Sequence, residues 1–201
     1  MIFSDLVFTP DELSLIDSES PSGVVDWSSA KLVGVRRKVR DLHRAIQRDC
    51  CCYCRKDFAE DHPLAIDIEH VLPKSKRPDF CVNPVNLSVA CKRCNMHIKR
   101  DRVDFLAGSI SLSFADAMDS SGYLFIHPNL DCYSDHLRVL CVQVDNLKYR
   151  KYCVLNNSAK GRFNYDYFLL IDLERGDIDE IQGVSSGDSW VERELNRIQG
   201  V

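Results

Sequence analysis

The sequence predicts an α+β protein: a strand–loop–strand–helix module, a basic helix ahead of it, and an antiparallel β-rich region with a terminal helix behind. Three observations predict it. First, Cys51-Cys52-Tyr53-Cys54 and Cys91-Lys92-Arg93-Cys94 are two C-x-x-C pairs around a medium insert, the spacing of a tetrahedral four-thiolate zinc site. Second, Leu32, Val35, Val39, Leu42 and Ile46 recur at three- and four-residue steps, which makes one apolar helical stripe. Third, the C-terminal half carries aromatic and β-branched runs separated by turn residues, the pattern of short strands. With 201 residues, 45% of them apolar, the chain can bury one core with appendages or two small ones. The expected segments are 1–49, a lead-in and basic helix; 50–106, the zinc module; and 107–201, the accessory region.

Taken in order, Thr9-Pro10-Asp11-Glu12 opens a short helix, with Thr at the cap, Pro at the first position and acids in the first turn. Ser18 to Gly23 is loop chemistry. Ser28 or Ser29 caps the basic helix, which runs to about Asp49 and carries Arg36, Arg37, Lys38, Arg40, Arg44 and Arg48 off its apolar stripe. Tyr53 to Phe58 forms the first knuckle. Leu64 to Val71 alternates Leu64, Ile66 and Ile68 with Ala65, Asp67 and Glu69 and reads as a strand, ended by Pro73 and Pro78. Asn83 to Asn86 is a turn, Leu87 to Ala90 a second strand, and Lys92 to about Leu106 a helix rich in Lys and Arg. Further strands are expected at Tyr123–His127, His136–Val144, Lys151–Leu155 and Tyr165–Leu173. A final helix is capped by Asp188 or Ser189.

The net charge of −4 hides an asymmetry. Residues 31–102 hold 17 of the 26 Lys and Arg but 9 of the 30 Asp and Glu, a local +8, and the remainder carries −12. A basic section inside an acidic chain suggests a polyanion held on one face; a merely solvated charged surface is the plain alternative. Ten cysteines also fit a secreted disulfide scaffold. The N-terminus, however, lacks a basic n-region and a long apolar run, and no stretch is long enough to span a bilayer, so a reducing cytoplasmic setting without a membrane is expected. Cys51, Cys54, Cys91 and Cys94 then bind structural zinc, and Cys50, Cys52, Cys81, Cys132, Cys141 and Cys153 are mostly small buried hydrophobes.

Cys51-x-x-Cys54, Glu69-His70-x-x-Pro73, Asn86 and Cys91-x-x-Cys94-Asn95 resemble, in order and spacing, the zinc-stapled branch of the HNH endonucleases. The match covers about a quarter of the chain. The resemblance implies a ββα-metal finger and metal-dependent hydrolysis of nucleic-acid phosphodiester bonds, DNA foremost. His70 takes the general-base position. Glu69, where the family usually has Asp, and Asn95, where it usually has His, become oxygen ligands to Mg²⁺ or Mn²⁺. Asn86 holds the loop that aims the His70 ring. His97 is a rival for Asn95, but two residues along a helix is about 200° of rotation, so the two face apart. Lys99 shares Asn95's face and can meet a phosphate. Four thiolates leave the zinc no open position, so the activating metal is a second ion. Lys74, Lys76, Arg77, Lys92, Arg93, Arg100 and Arg102 flank the motif as phosphate contacts.

A wider set, with Trp27, Gln47, His127-Pro128, Asp131 and His136, is similar to HNH proteins of bacterial antiphage systems, the PtuB-like nucleases that partner an ATPase among them. It implies an effector nuclease restrained by a partner until infection. The alternative is a non-catalytic zinc-stapled module that binds nucleic acid or protein.

Overall fold

A computed structural model describes residues 6–174 except 22, 60–61, 63–64, 110–112 and 145–146. The expected terminal helix from Asp188 or Ser189 lies outside the described residues. Helix α1, Pro10–Ser18, starts as a capping box: Thr9 Oγ1 accepts from the Glu12 amide and the Glu12 carboxylate accepts from the Thr9 amide. Glu12 also pairs with Lys38 at 2.6 Å, which ties α1 to helix α2, Val33–Ile46. The basic helix is shorter than its sequence pattern suggests. Ser29 caps a 3₁₀ turn at Ala30–Leu32 instead, and the helix stops at Ile46 because Arg48 and Asp49 adopt positive φ. Leu32, Val35 and Val39 are buried as the stripe requires, and they meet Leu6, Ile16, Val25, Trp27, Cys81 and Leu87 in one apolar cluster.

Strands β1, Ile66–His70, and β2, Leu87–Cys91, pair antiparallel with Ile66 opposite Cys91 and His70 opposite Leu87. Strand β2 is buried along its whole length, since α2 covers one side and the C-terminal region the other. Gln47 pins it from α2: its amide oxygen accepts from Val89 N and Ser88 Oγ, and its nitrogen donates to the Val89 and Cys50 carbonyls. Helix α3 covers only Arg93–Lys99 and is π-wound. The expected continuation to Leu106 fails because Arg100 takes φ 55°, with its amide donating to the Asn95 carbonyl at 2.7 Å.

The C-terminal region is a hairpin plus helix rather than four strands. Strands β3, Leu137–Val144, and β4, Leu147–Val154, form a second antiparallel pair. Tyr123–His127 is not a strand; a single bridge joins Tyr123 to Leu106. Residues expected as a strand from Tyr165 lie in helix α4, Ala159–Tyr167, and its continuation. Ser158 caps α4, and Phe163 stacks on Tyr167 four residues on, so helical spacing prevails over the β propensity of the aromatics. Phe105, Tyr123, Phe125, Phe168 and Leu170 share a buried cluster with the zinc-module cysteines, Tyr53 and Phe58. The exposed positions of Cys132, Cys141 and Cys153 correct the expectation that they are buried; Cys52 and Cys81 are buried. No helix among the described residues is long and apolar enough to cross a membrane.

At Gly161 a Cβ would stand 2.3 Å from the His136 carbonyl oxygen. Gly161→Ala is expected to destabilise the fold by about 1–3 kcal/mol through forced backbone displacement. A lower urea midpoint at unchanged slope would report it.

Candidate active site

The first knuckle turns through Arg55 at φ 56°, with the Arg55 amide on the Cys51 carbonyl and the Cys51 amide on that of Lys56. It brings Cys51 and Cys54 to Cys91 and Cys94, and all four sulfurs lie within 4.8 Å of one another, buried. The Cys91 amide donates to Cys51 Sγ, a bond that favours a thiolate. The Cys54 and Cys91 sulfurs are 3.7 Å apart; a tetrahedron with Zn–S of about 2.3 Å has edges of about 3.8 Å. The residues present therefore fit zinc.

A groove of about 480 Å³ runs along the unpaired edge of β1. Trp27, Arg36 and Arg40 line one wall, Asn95, Met96, Arg100 and Asp101 the other, and Pro73–Ser75 close one end. Strand alternation divides the site. Asp67 and Glu69 reach α3, whereas Ile68 and His70 reach the Trp27 side. His70 and Asn95 thus flank one groove from opposite faces of the strand, and Glu69, although 1% exposed, also contributes to its lining.

His70 is half-buried, edge-on to Trp27 with ring centroids 5.3 Å apart. Its Nε2 lies 3.1 Å from the Cys81 carbonyl oxygen. A carbonyl only accepts, so Nε2 carries the proton and Nδ1 is the basic atom of the neutral ring. Burial, then the Lys74 charge, lowers its pKa to about 4, so the ring is neutral at pH 7. Asn86, 1% exposed, holds the loop beyond His70: its side-chain oxygen accepts from Leu72 N and its nitrogen donates to the Leu72 and Phe80 carbonyls.

Lys99 does not reach solvent where a phosphate would lie. It is 1% exposed, pairs with Glu69 Oε1 at 2.7 Å, and donates to the His70 carbonyl at 2.9 Å. Tyr53 donates to the same Glu69 oxygen. Burial pushes the Glu69 carboxyl up, and the Lys99 ammonium and Tyr53 hydroxyl oppose that shift by holding the charged form. Glu69 Oε2 is buried without a partner. A divalent ion there would sit against the Lys99 ammonium in a low-dielectric interior, where like charges repel strongly. Glu69 as arranged therefore does not fit as a direct ligand. Asp67 fits better. Its carboxylate accepts from the Asn95 amide nitrogen at 3.1 Å and from the half-exposed Lys92 at 3.0 Å, and both Asp67 and Asn95 line the groove. A carboxylate and an amide oxygen suit a hard ion that keeps most of its waters. Among the described residues only the four cysteines bring three or more Cys, His, Asp or Glu donors together. His97 is exposed and does not line the groove.

The sequence reading missed Asp67, Arg36 and Arg40 as groove residues. Asp67 was findable, since it shares the strand face of Glu69 two residues on. The two arginines come from α2, and nothing local announces where that helix packs. His127, Asp131 and His136 lie away from the groove. Asp131 accepts from His127 N and Lys160, and His136 Nδ1 lies 2.7 Å from Ser158 Oγ, so they brace the C-terminal region.

The chain is 29% identical over 111 residues, half of its length, to a retron Vc95 protein of Vibrio cholerae serotype O1 biovar El Tor that is named provisionally as an HNH endonuclease. It is 27% identical over 125 residues, 62% of its length, to the Septu protein PtuB of Bacillus thuringiensis. Both relatives match the HNH and PtuB-like resemblance. The aligned part spans 53% of the first relative and 38% of the second. No family model and no solved structure matches the chain.

Lys99→Met leaves a buried carboxylate uncompensated and is expected to cost about 3–5 kcal/mol. Adding Glu69→Gln should restore much of it. Urea unfolding of both variants, with zinc content checked, measures the difference.

Proposed function

We propose that the chain is a metal-dependent HNH endonuclease, with β1, β2 and α3 as its ββα-metal finger. It hydrolyses nucleic-acid phosphodiester bonds, DNA foremost, as the effector of a bacterial antiphage system with an ATPase partner in the cytoplasm. The single observation that carries the reading is the groove at β1. A neutral imidazole with its proton fixed on Nε2 opens onto it, oxygen donors stand opposite, and Arg36, Arg40, Lys74 and Arg100 rim it. Segments 1–49, 50–106 and 107–201 serve as lead-in with basic helix, nuclease module and accessory region.

His70 Nδ1 accepts a proton from the attacking water, and the Cys81 carbonyl holds the ring's own proton on Nε2, which leaves Nδ1 as the basic atom. A Mg²⁺ or Mn²⁺ ion, when bound, stabilises the developing negative charge and the leaving oxygen. Asp67 and Asn95 would hold it. The rim cations position the phosphates. Glu69 and Lys99 act through His70 by anchoring its carbonyl beneath the strand, and Asn86 acts through the loop that follows. The zinc, saturated by four thiolates, serves the fold.

Plasmid DNA incubated with the zinc-loaded protein and Mg²⁺ or Mn²⁺, alone and with an ATPase partner, is expected to be nicked. His70→Ala should lose at least about 100-fold in rate while retaining zinc. Because His70 must be unprotonated, activity should hold through neutral pH and fall as the ring protonates on the acid side, toward about pH 4. Equal nicking by wild type and His70→Ala would contradict the assignment; salt-sensitive binding without cleavage in every condition would favour a non-catalytic module.

A further inference from the structure

A second basic groove, of about 780 Å³, lies between the first knuckle and the β3–β4 hairpin. Arg48 and Arg55 line it from the knuckle side, and Arg138, Lys148 and Arg150 from the hairpin, with Asp57 among the same lining residues. Arg48 and Arg138 are exposed. Among the described residues no carboxylate pairs with either of them or with Lys148. Arg55 is held over the Tyr133 ring at 5.3 Å and donates to the Gln47 carbonyl. The hairpin is basic although the C-terminal half as a whole is acidic: residues 137–154 contain Arg138, Lys148, Arg150 and Lys151 against Asp145.

The two grooves are joined by α2. Arg36 and Arg40 line the groove at His70, and Ile46 and Arg48 line the second. Arg36, Arg40 and Arg44 fall at four-residue steps on one helical face, with Arg44 paired to Asp49 at 2.5 Å between the two grooves. From Arg36 to Ile46 the helix rises about 15 Å, about four to five base pairs of duplex. A row of cations at that length matches a phosphate backbone, whose charges repeat along an axis. A compact anion would need one convergent pocket.

We infer that this second groove binds the nucleic-acid backbone about half a turn away from the bond at His70, so that the hairpin extends the substrate track. The inference rests on the nuclease reading. It assigns the accessory hairpin a role in substrate length and affinity, outside the chemistry.

The test uses the whole chain as zinc-loaded His70→Ala protein without added Mg²⁺ and measures fluorescence anisotropy with a labelled hairpin duplex of about 4 base pairs, too short to span the roughly 15 Å between the grooves, and a labelled duplex of about 30 base pairs. The parent is compared with the same protein carrying Arg48→Glu and Lys148→Glu, one change on each wall. The expected result is at least about tenfold weaker binding of the long duplex, with the slope of log K against log salt reduced by about 2, and little change for the short one. Unchanged affinity and slope on the long duplex would overturn the inference and leave the groove to an acidic protein segment or to solvent, with the nuclease reading untouched. If the parent itself binds neither duplex nor a single-stranded RNA of the longer length, the inference falls together with the nuclease reading.

Discussion

Everything at the site depends on four sulfurs meeting at one point. Strands β1 and β2 are five residues each and form a two-stranded sheet, an arrangement that is marginal alone in water. The sulfurs of Cys51, Cys54, Cys91 and Cys94 lie within 4.8 Å of one another; a zinc ion held there would fix the knuckle to the end of β2 and the start of α3, and a structural site of this type contributes about 10–16 kcal/mol. The rest of the chain is fitted to that knuckle. Tyr152 donates to the Cys54 carbonyl at 2.6 Å, and Tyr133 and Asn164 both donate to that of Tyr53. The accessory region is thus fitted to the backbone of the knuckle that carries Cys51 and Cys54.

The second constraint is the alternation of β1. Consecutive residues in a strand face opposite ways, so Glu69 and His70 cannot project in parallel from a regular strand. The chain uses both directions. Glu69 turns inward to Lys99, Tyr53 and Phe105, where Lys99 lies 5.5 Å over the Phe105 ring. His70 turns toward the groove and the cations around it. The buried pair anchors the His70 carbonyl from beneath while Cys81 orients the ring from the side. Charge is separated accordingly: one compensated pair in the interior, a basic rim outside, and the Asp67 carboxylate at the edge where a hard cation could sit.

How much of this was legible in the sequence varied with the range of the interaction. The cluster of four cysteines, both strands of the module, the α1 cap and the apolar stripe of α2 rest on local spacing, and spacing is written in the chain. The Glu69–Lys99 pair was not legible. An acid in an alternating strand reads as a solvent-facing residue until the helix that covers it is known. The early end of α3 depends on the positive φ of Arg100, a residue type that gives no warning. Tyr165–Leu173 read as a strand because aromatics favour strands, and only the Ser158 cap with the Phe163–Tyr167 spacing decides for helix. Arg36 and Arg40 reach the groove through the packing of α2 on the sheet, which composition does not reveal.

The thiolate clamp is open to zinc-edge X-ray absorption on the purified native protein. One zinc per chain bound by four sulfurs at about 2.3 Å is expected. A metal-free folded chain, or zinc with nitrogen and oxygen neighbours in place of sulfur, would contradict it.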